Sequence, residues 1–235
     1  MRRSRGHVIS VWLSVAVAFV IGIFGPCGVA GQKSPKEIEY ELKAAFIFNF
    51  MRFMEWPEGK IQANRACDQQ HRPTDENGDE ALPPLKVGII GDNPFGQAWV
   101  PIAERTIRDR EIIVVQVQGM DRYVKDADDE QKKKDTYYKE YADVLRRCDV
   151  VFISKSQEAY VEMLLALLAG NAVATVSDID HFTQRGGMFG FVIEKQRVRF
   201  DIHLERAETE QITIRSQLLE LARRVHQPEP SEEKQ

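Results

Sequence analysis

The sequence predicts an α/β fold, with a mixed, largely parallel sheet flanked by helices in a single domain. Short apolar runs typical of buried strands occur at 85–91 (LKVGIIG), 111–117 (EIIVVQV), 149–153 (DVVFI) and 172–176 (AVATV). Helical segments separate these runs, and strands that alternate with helices favour a parallel sheet covered on both faces. Two later runs, 188–193 (MFGFVI) and 197–204 (RVRFDIHL), predict a hairpin whose antiparallel strands make the sheet mixed.

The N-terminus has the layout of a secretory signal peptide over residues 1–31. Arg2, Arg3 and Arg5 form a basic start, residues 8–24 are apolar and uncharged, and small residues follow. Two alternatives stay open, an uncleaved membrane anchor and a lipoprotein attached through Cys27. The apolar run is short for a spanning helix, which needs about 20 residues. Each of these interpretations places the folded domain outside the cytoplasm.

The domain is predicted to span residues 34–226 and to begin with a long helix. Ser34 and Pro35 suit a helix start, and Pro57 ends the stretch 38–56 (IEYELKAAFIFNFMRFMEW). This helix is apolar on most sides, so it is either central to the core or partly given to a partner. Residues 59–84 are polar and rich in proline and Asn-Gly, which predicts a loop or a disordered insertion.

The other helices are predicted from caps and charge. Asn93 and Pro94 suit the start of a helix after the first strand, and Ser154 with Gln157 matches a capping box for a helix over 156–168. The highly charged segment 121–147 predicts a solvated helix inserted between strands. A last helix is predicted over 212–226, followed by a disordered tail at 227–235.

Composition and motifs argue against several functional classes. The net charge of −4 gives no sequence-wide basic surface for nucleic acid. Histidines are scattered and no metalloprotease, serine hydrolase or phosphate-loop motif occurs, so the sequence predicts no metal site, no cofactor and no enzyme. SDIDH (177–181) is the best enzyme-like cluster, and we interpret Ser177 and Asp178 as the cap of a helix start.

Cys67 and Cys148 are the two cysteines that follow the leader. They are candidates for one disulfide that closes a long loop, which an oxidising compartment permits. The alternative is that Cys148, next to an apolar strand, is a buried thiol.

Two surfaces are predicted to bind a partner or ligand. The first lies at the end of the first helix, where Arg52, Glu55 and Trp56 stand close together. The second is the polar side of the late strand, because alternation places four polar side chains on one face: Arg197, Arg199, Asp201 and His203. Arginine beside aromatic groups suits carboxylate recognition or a protein interface. The alternative for the strand is a solvated face with cross-strand ion pairs.

Several blocks in this order resemble the YfiR family: 42–57 (LKAAFIFNFMRFMEWP), 87–96 (VGIIGDNPFG), 148–154 (CDVVFIS), 173–208 and 212–223 (ITIRSQLLELAR). Together they span most of the chain after the leader. The resemblance implies a periplasmic α/β domain that restrains an inner-membrane diguanylate cyclase by binding its periplasmic part, and it implies homodimers. Residues 59–84 and 121–147 look longer than the usual connections of the family, and Gln196 stands where the family often has Asn.

The sequence therefore predicts a periplasmic, non-enzymatic regulator of a membrane signalling protein. The alternative is a periplasmic module that binds a small molecule or a peptidoglycan fragment, with Arg52, Trp56 and Arg199 holding a carboxylate.

Overall fold

The computed structural model describes residues 33–67, 82–125 and 131–227. The predicted leader (1–31) and residues 228–235 of the predicted tail lie outside this part. The helices are α1 Pro35–Phe53, α2 Glu58–Cys67, α3 Val100–Ala103, α4 Met120–Lys125, α5 Gln131–Arg146, α6 Val161–Leu168, α7 Leu204–Thr209 and α8 Ser216–Leu221. The strands are β1 Met54–Glu55, β2 Leu85–Ile90, β3 Thr106–Ile107, β4 Arg110–Val117, β5 Val150–Ile153, β6 Ala174–Ser177, β7 Phe189–Glu194, β8 Arg197–His203, β9 Thr213–Ile214 and β10 Arg224–His226. Within the described ranges, no helix is long and apolar enough to cross a membrane.

Eight of the described strands form one mixed sheet in the order β10-β8-β7-β6-β5-β2-β4-β3. The central strands β4, β2, β5, β6 and β7 are parallel, because a helical crossover or a long loop connects each of them to the next one along the chain. β7 and β8 pair antiparallel through a two-residue turn, as the hairpin pattern predicts. The α/β class and the mixed, largely parallel sheet are therefore confirmed. β1 and β9 pair separately in a small antiparallel sheet.

The core has two layers because successive strand residues point to opposite faces of the sheet. Along β5, Val150 and Phe152 face the layer of α1, whereas Val151 and Ile153 face α5 and α6. In the first layer Phe50 of α1 stacks on Phe189, with 4.5 Å between ring centroids. Helix α1 is therefore central to the core, which is one of the two roles that its apolar sequence predicts.

The loop predicted over residues 59–84 is wrong at its beginning, where helix α2 covers Glu58–Cys67. Its polar side chains are anchored rather than solvated. Lys60 Nζ donates to the backbone carbonyls of Arg146 and Asn171, and Asn64 Nδ2 donates to the Asp149 carboxylate at 3.2 Å. Both side chains are buried. The polar residues of α2 therefore form tertiary hydrogen bonds, and their polarity does not indicate a loop.

The predicted last helix over 212–226 is also wrong. This segment divides into β9, the short helix α8 and β10, since the backbone turns extended at Ala222. The predicted first helix is shorter than expected, because Met54 and Glu55 pair with Ile214 and Thr213 instead of continuing α1 to Trp56. These two departures have one cause, since the C-terminal segment supplies backbone partners to both β1 and β8.

Two other elements differ in detail. β4 was expected to be fully buried, yet it alternates, with Glu111 and Ile113 exposed near the edge of the sheet. The helix expected over 156–168 begins as a 3-10 turn at Lys155–Tyr160 and continues as α6. Ser154 caps it by accepting a hydrogen bond from the Ser156 amide. Gln157 does not complete a capping box, because its Oε1 accepts from the Met120 amide at 2.7 Å.

Candidate functional site

Glu55, in the first predicted surface, is held by an arginine from the C-terminal segment. The Nε and one terminal nitrogen of Arg215 both donate to Glu55 Oε1, at 2.9 and 2.6 Å. Pairing of β1 with β9 brings the two residues together, although 160 positions separate them in sequence. Arg215 lowers the pKa of the Glu55 carboxyl below its usual range. The pair is about half exposed, so it lies on the surface beside the end of α1.

Arg52 and Trp56 have different surroundings. Arg52 is exposed, with its guanidinium 5.8 Å from the centroid of the Phe53 ring. Trp56 is only 8% exposed, and its indole Nε1 donates to the backbone carbonyl of Asp149 at 3.2 Å. The prediction of Trp56 as a binding residue is therefore wrong, because its side chain fixes the chain after α1 to the start of β5.

Arg108 belongs to this surface and was missed in the sequence. One of its terminal nitrogens donates to the backbone carbonyls of Arg52 and Met54, at 3.1 and 2.9 Å. These carbonyls lie at the C-terminal end of α1, where a helix has unpaired acceptors and favours a positive charge. Arg108 stands in the β3–β4 turn, so no spacing in the sequence links it to α1.

The polar face of β8 is divided into an exposed half and a covered half. Arg197 and Arg199 are exposed, and neither forms an ion pair with another described residue. Asp201 is 5% exposed and His203 is half-buried. Alternation does place all four residues on one face of β8, but only the first two side chains are exposed there.

The segment that contains Arg223 and β10 lies beside the second half. β10 pairs with β8 from Asp201 to His203, whereas Arg197 and Arg199 lie beyond the end of this pairing. Asp201 accepts hydrogen bonds from both the Nε and a terminal nitrogen of Arg223, which precedes β10. This bidentate pair is structural, because a strong charge-assisted contact inside the protein leaves little capacity for a ligand.

The tip of the β7–β8 hairpin is a strained, exposed turn. Lys195 and Gln196 have φ angles of 48° and 61°, the left-handed values that a tight type I′ hairpin turn requires. Ile193 is 56% exposed on one face of the hairpin, and Arg197 and Arg199 are exposed on the other. We refer to Ile193, Arg197 and Arg199 as the hairpin surface.

The predicted carboxylate site of Arg52, Trp56 and Arg199 does not form. The Trp56 indole contacts the residue before β5, and Arg199 lies on β8. Strands β6 and β7 lie between them, which separates β5 from β8 by roughly 14 Å at the usual strand spacing. Three side chains so arranged cannot hold one carboxylate.

The SDIDH cluster is not the cap of a helix. The Ser177 hydroxyl donates to the Ile153 carbonyl and accepts from the Ile179 amide, so it stabilises a turn. Asp178 accepts hydrogen bonds from Tyr40 and Lys43 of α1. His181 is exposed, with a left-handed φ of 58°. The capping interpretation is therefore wrong for Asp178, whose partners are distant in sequence.

Histidine and cysteine side chains are the remaining candidates for chemistry of their own. His203 and His226 lie side by side on β8 and β10, with 6.4 Å between ring centroids. Among the residues that the structure describes, no group of three histidine, cysteine or acidic side chains is arranged to hold a metal ion. Cys148 is buried and forms no disulfide with any residue whose side chain the structure describes. The side chain of Cys67 lies outside the described part, so the pairing of Cys67 with Cys148 stays a prediction.

The chain was compared with known proteins. A family model described as YfiR/HmsC-like matches residues 40–223. No curated protein matches the chain. Among solved structures, a conserved domain protein from Vibrio cholerae has 10% identity and a TM-score of 0.42, covering 60% of this chain and 54% of its own.

A phosphoglycerate oxidoreductase from Rhizobium etli has 13% identity and a TM-score of 0.26, covering 64% of this chain and 56% of its own. The chain thus spans just over half the length of each of these two structures. Similarity at this level carries no argument about fold or function.

Proposed function

This chain belongs to the YfiR/HmsC-like family, and from that membership we propose that it binds and restrains the periplasmic part of an inner-membrane diguanylate cyclase. Members of the family are periplasmic regulators of such cyclases, and the family is not catalytic. The protein would then act by occupying a surface of its partner. It would do so without a cofactor and without chemistry of its own.

We propose that the hairpin surface contacts the cyclase. Its two arginines are exposed and have no ionic partner among the described residues, so both can meet carboxylates of a partner. Ile193 exposes apolar area on the opposite face of the same hairpin. Arginine and apolar side chains are enriched at the centres of protein interfaces. Surface arginines without partners also avoid the cost of breaking an internal ion pair on binding.

A binding measurement with a charge reversal tests this assignment. Arg199→Glu should weaken capture of the periplasmic part of a cyclase encoded beside this protein by about tenfold, since it replaces attraction with repulsion. Arg147→Glu is a matched control, because Arg147 is also exposed but follows α5 on another part of the surface. Unchanged capture by Arg199→Glu would remove the hairpin surface from the proposal.

A cellular measurement tests the regulatory role separately. Deletion of the gene should raise cyclic di-GMP in a strain that retains the cyclase, and wild-type protein should restore the lower level. Protein without its leader should fail to do so, because it would remain in the wrong compartment. Equal cyclic di-GMP with and without the gene would contradict the proposal even if binding were observed.

We also propose that the protein is a homodimer, as the resemblance implies. Sedimentation equilibrium of the purified protein should give twice the mass of one chain. A single-chain mass at micromolar concentration would contradict this part of the proposal and leave the cyclase assignment intact.

A further inference from the structure

A cavity of about 510 Å³ lies at the carboxyl end of β6. The loop that follows β6 forms one wall, and the outer half of β7 forms another. In open α/β sheets, ligands bind beyond the carboxyl ends of the strands. The cavity has a size that suits a small molecule. Neither the Glu55–Arg215 pair nor Arg197 or Arg199 lines it, although Ile193 of the hairpin surface does.

The other site that this sheet would offer is filled by the chain itself. The strand order reverses between β2 and β5, which is the usual place for a ligand crevice. There Gly91 lies so close to Ser156 and Gln157 that a Cβ atom on it would stand 2.4 Å from the Ser156 hydroxyl. Gln157 bridges the gap by accepting from the Met120 amide and donating to Asp121. The carboxyl end of β6 is therefore the open position on this edge.

Two buried charged residues line the cavity, Lys43 from α1 and Asp178 from the end of β6. Asp178 Oδ2 accepts two hydrogen bonds, from Lys43 Nζ at 2.6 Å and from the Tyr40 hydroxyl at 2.7 Å. Its other oxygen, Oδ1, is buried and has no hydrogen-bond partner among the described residues. Asp178 itself is 5% exposed. A buried carboxylate oxygen without a donor is a strong acceptor for one supplied from the cavity.

The charges around Asp178 favour a cationic donor. Lys43 also contacts Glu39 Oε1, at 2.5 Å, so one ammonium group faces two carboxylates. This group of three residues carries one net negative charge. Three other cations line the cavity: Arg223 is already held by Asp201, and Lys155 and Arg224 are exposed, so solvent screens their charges. A positive N–H donor would therefore satisfy the unpaired oxygen and balance the charge of the Glu39, Lys43 and Asp178 group.

We propose that this cavity binds a small organic ammonium compound, whose N–H group donates to Asp178 Oδ1. The proposal goes beyond the regulatory function and does not depend on the identity of the protein partner. It assigns to Asp178 a role as the anchor of the ligand and to the loop after β6 a role as one wall of the binding site.

Binding of butylamine, which is protonated at neutral pH, tests the proposal against butyrate as a matched compound of opposite charge. Each compound is titrated at constant ionic strength into the purified, isotope-labelled protein, in the form that remains after processing in the cell. The amide chemical shifts are followed by NMR. Butylamine should shift amides of residues 178–184 and 190–193 in a saturable manner, whereas butyrate should not. Shifts that are absent, spread over the surface or equal for the two compounds would overturn the proposal.

Two variants separate the anchor from general attraction between charges. Asp178→Asn should weaken butylamine binding by about tenfold or more, since it removes a charge-assisted hydrogen bond. Asp180→Asn removes the same charge from an exposed residue of the cavity rim and should change affinity by less than about threefold. Equal losses in both variants would overturn the anchoring role of Asp178. If Asp178→Asn does not fold, the shift map of the wild-type protein still decides the question.

Discussion

Lys43 and Asp178 form an ion pair of 2.6 Å between helix α1 and the end of β6, across 135 positions of sequence. Their side chains are 3% and 4% exposed, so both charges lie inside the protein. The Tyr40 hydroxyl donates to the same carboxylate oxygen, and burial together with Asp178 raises the pKa of Tyr40 above its usual range. The pair fixes the loop after β6 against the helix at the centre of the core.

Removal of Lys43 should destabilise the protein strongly. Lys43→Met leaves the Asp178 carboxylate buried without its cation, and such changes lower the free energy of unfolding by about 3–5 kcal/mol. Urea unfolding measures the difference. Arg185→Met is the control, because Arg185 pairs at 2.8 Å with Glu162, whose side chain is 66% exposed, and the loss of such a solvent-screened pair should lower stability much less. Similar losses in the two variants would contradict the distinction between buried and surface pairs.

Asp149 should make stability fall as pH rises from acidic values. Its carboxylate is fully buried, and burial raises its pKa although Lys86 N and Arg110 oppose the shift. An acid with a raised pKa in the folded state binds its proton more tightly there than in the unfolded chain. Its contribution to stability is therefore complete below the unfolded pKa and is lost as pH rises through the folded pKa.

The difference between wild type and Asp149→Asn isolates this effect from other titrating groups. The amide keeps an acceptor for the Lys86 amide, which lies 2.8 Å from the present carboxylate. The advantage of wild type over Asp149→Asn in urea unfolding should shrink as pH rises from about 4 towards neutrality. An advantage that grows with pH would show that the pKa of Asp149 is lowered in the fold.

Apolar runs predicted the sheet well, and buried polar residues account for most of the errors. A strand buried on both faces must be apolar along its length, so the runs now seen as β2, β5 and β6 were recognisable. Lys60 and Asn64 gave no comparable signal, because their acceptors come from α5, β5 and the loop after α6. Polar composition alone therefore predicted a loop where α2 forms.

The candidate binding residues were predicted only in part for a related reason. Arg197 and Arg199 are exposed as strand alternation predicts. Asp201 follows the same alternation but is covered, because β10 pairs with that half of β8 and brings Arg223 to it. β10 has only three residues, which is too short for a periodic pattern to indicate a strand. Its pairing with β8 therefore could not be predicted from the sequence.

Cys148 should be unreactive in the folded protein. Its thiol is 2% exposed, its Sγ donates to the Val144 carbonyl at 3.5 Å, and burial raises its pKa to about 11. At pH 8 only about one thiol in a thousand would then be the reactive thiolate. Iodoacetamide followed by peptide mapping should find Cys148 unmodified in the native protein and modified in urea.

The same map tests the predicted disulfide without further variants. A peptide that carries Cys148 linked to Cys67 under non-reducing conditions would show that the two cysteines pair. Rapid labelling of Cys148 in the native protein would instead contradict its burial. Gly88 lies against this thiol, since a Cβ on it would stand 2.9 Å from Cys148 Sγ, so Gly88→Ala should increase native labelling.

Glycine at position 196 should stabilise the β7–β8 hairpin turn. Gln196 has a φ of 61°, and the left-handed conformation costs a residue with a Cβ roughly 1–2 kcal/mol. Glycine removes this cost but loses about 0.5–1 kcal/mol of backbone entropy on folding. Gln196→Gly should therefore raise the free energy of unfolding by up to about 1.5 kcal/mol and the Tm by up to about 6 °C.

Ala45→Gly provides the opposite control. Ala45 is solvent-exposed in the middle of α1, where glycine in place of alanine should lower the free energy of unfolding by about 1 kcal/mol. Thermal unfolding of the two variants should move the Tm in opposite directions. The turn variant keeps Arg197 and Arg199, so its capture of the proposed cyclase should match wild type. Destabilisation by Gln196→Gly would mean that the Gln196 side chain stabilises the turn by more than its backbone strain costs.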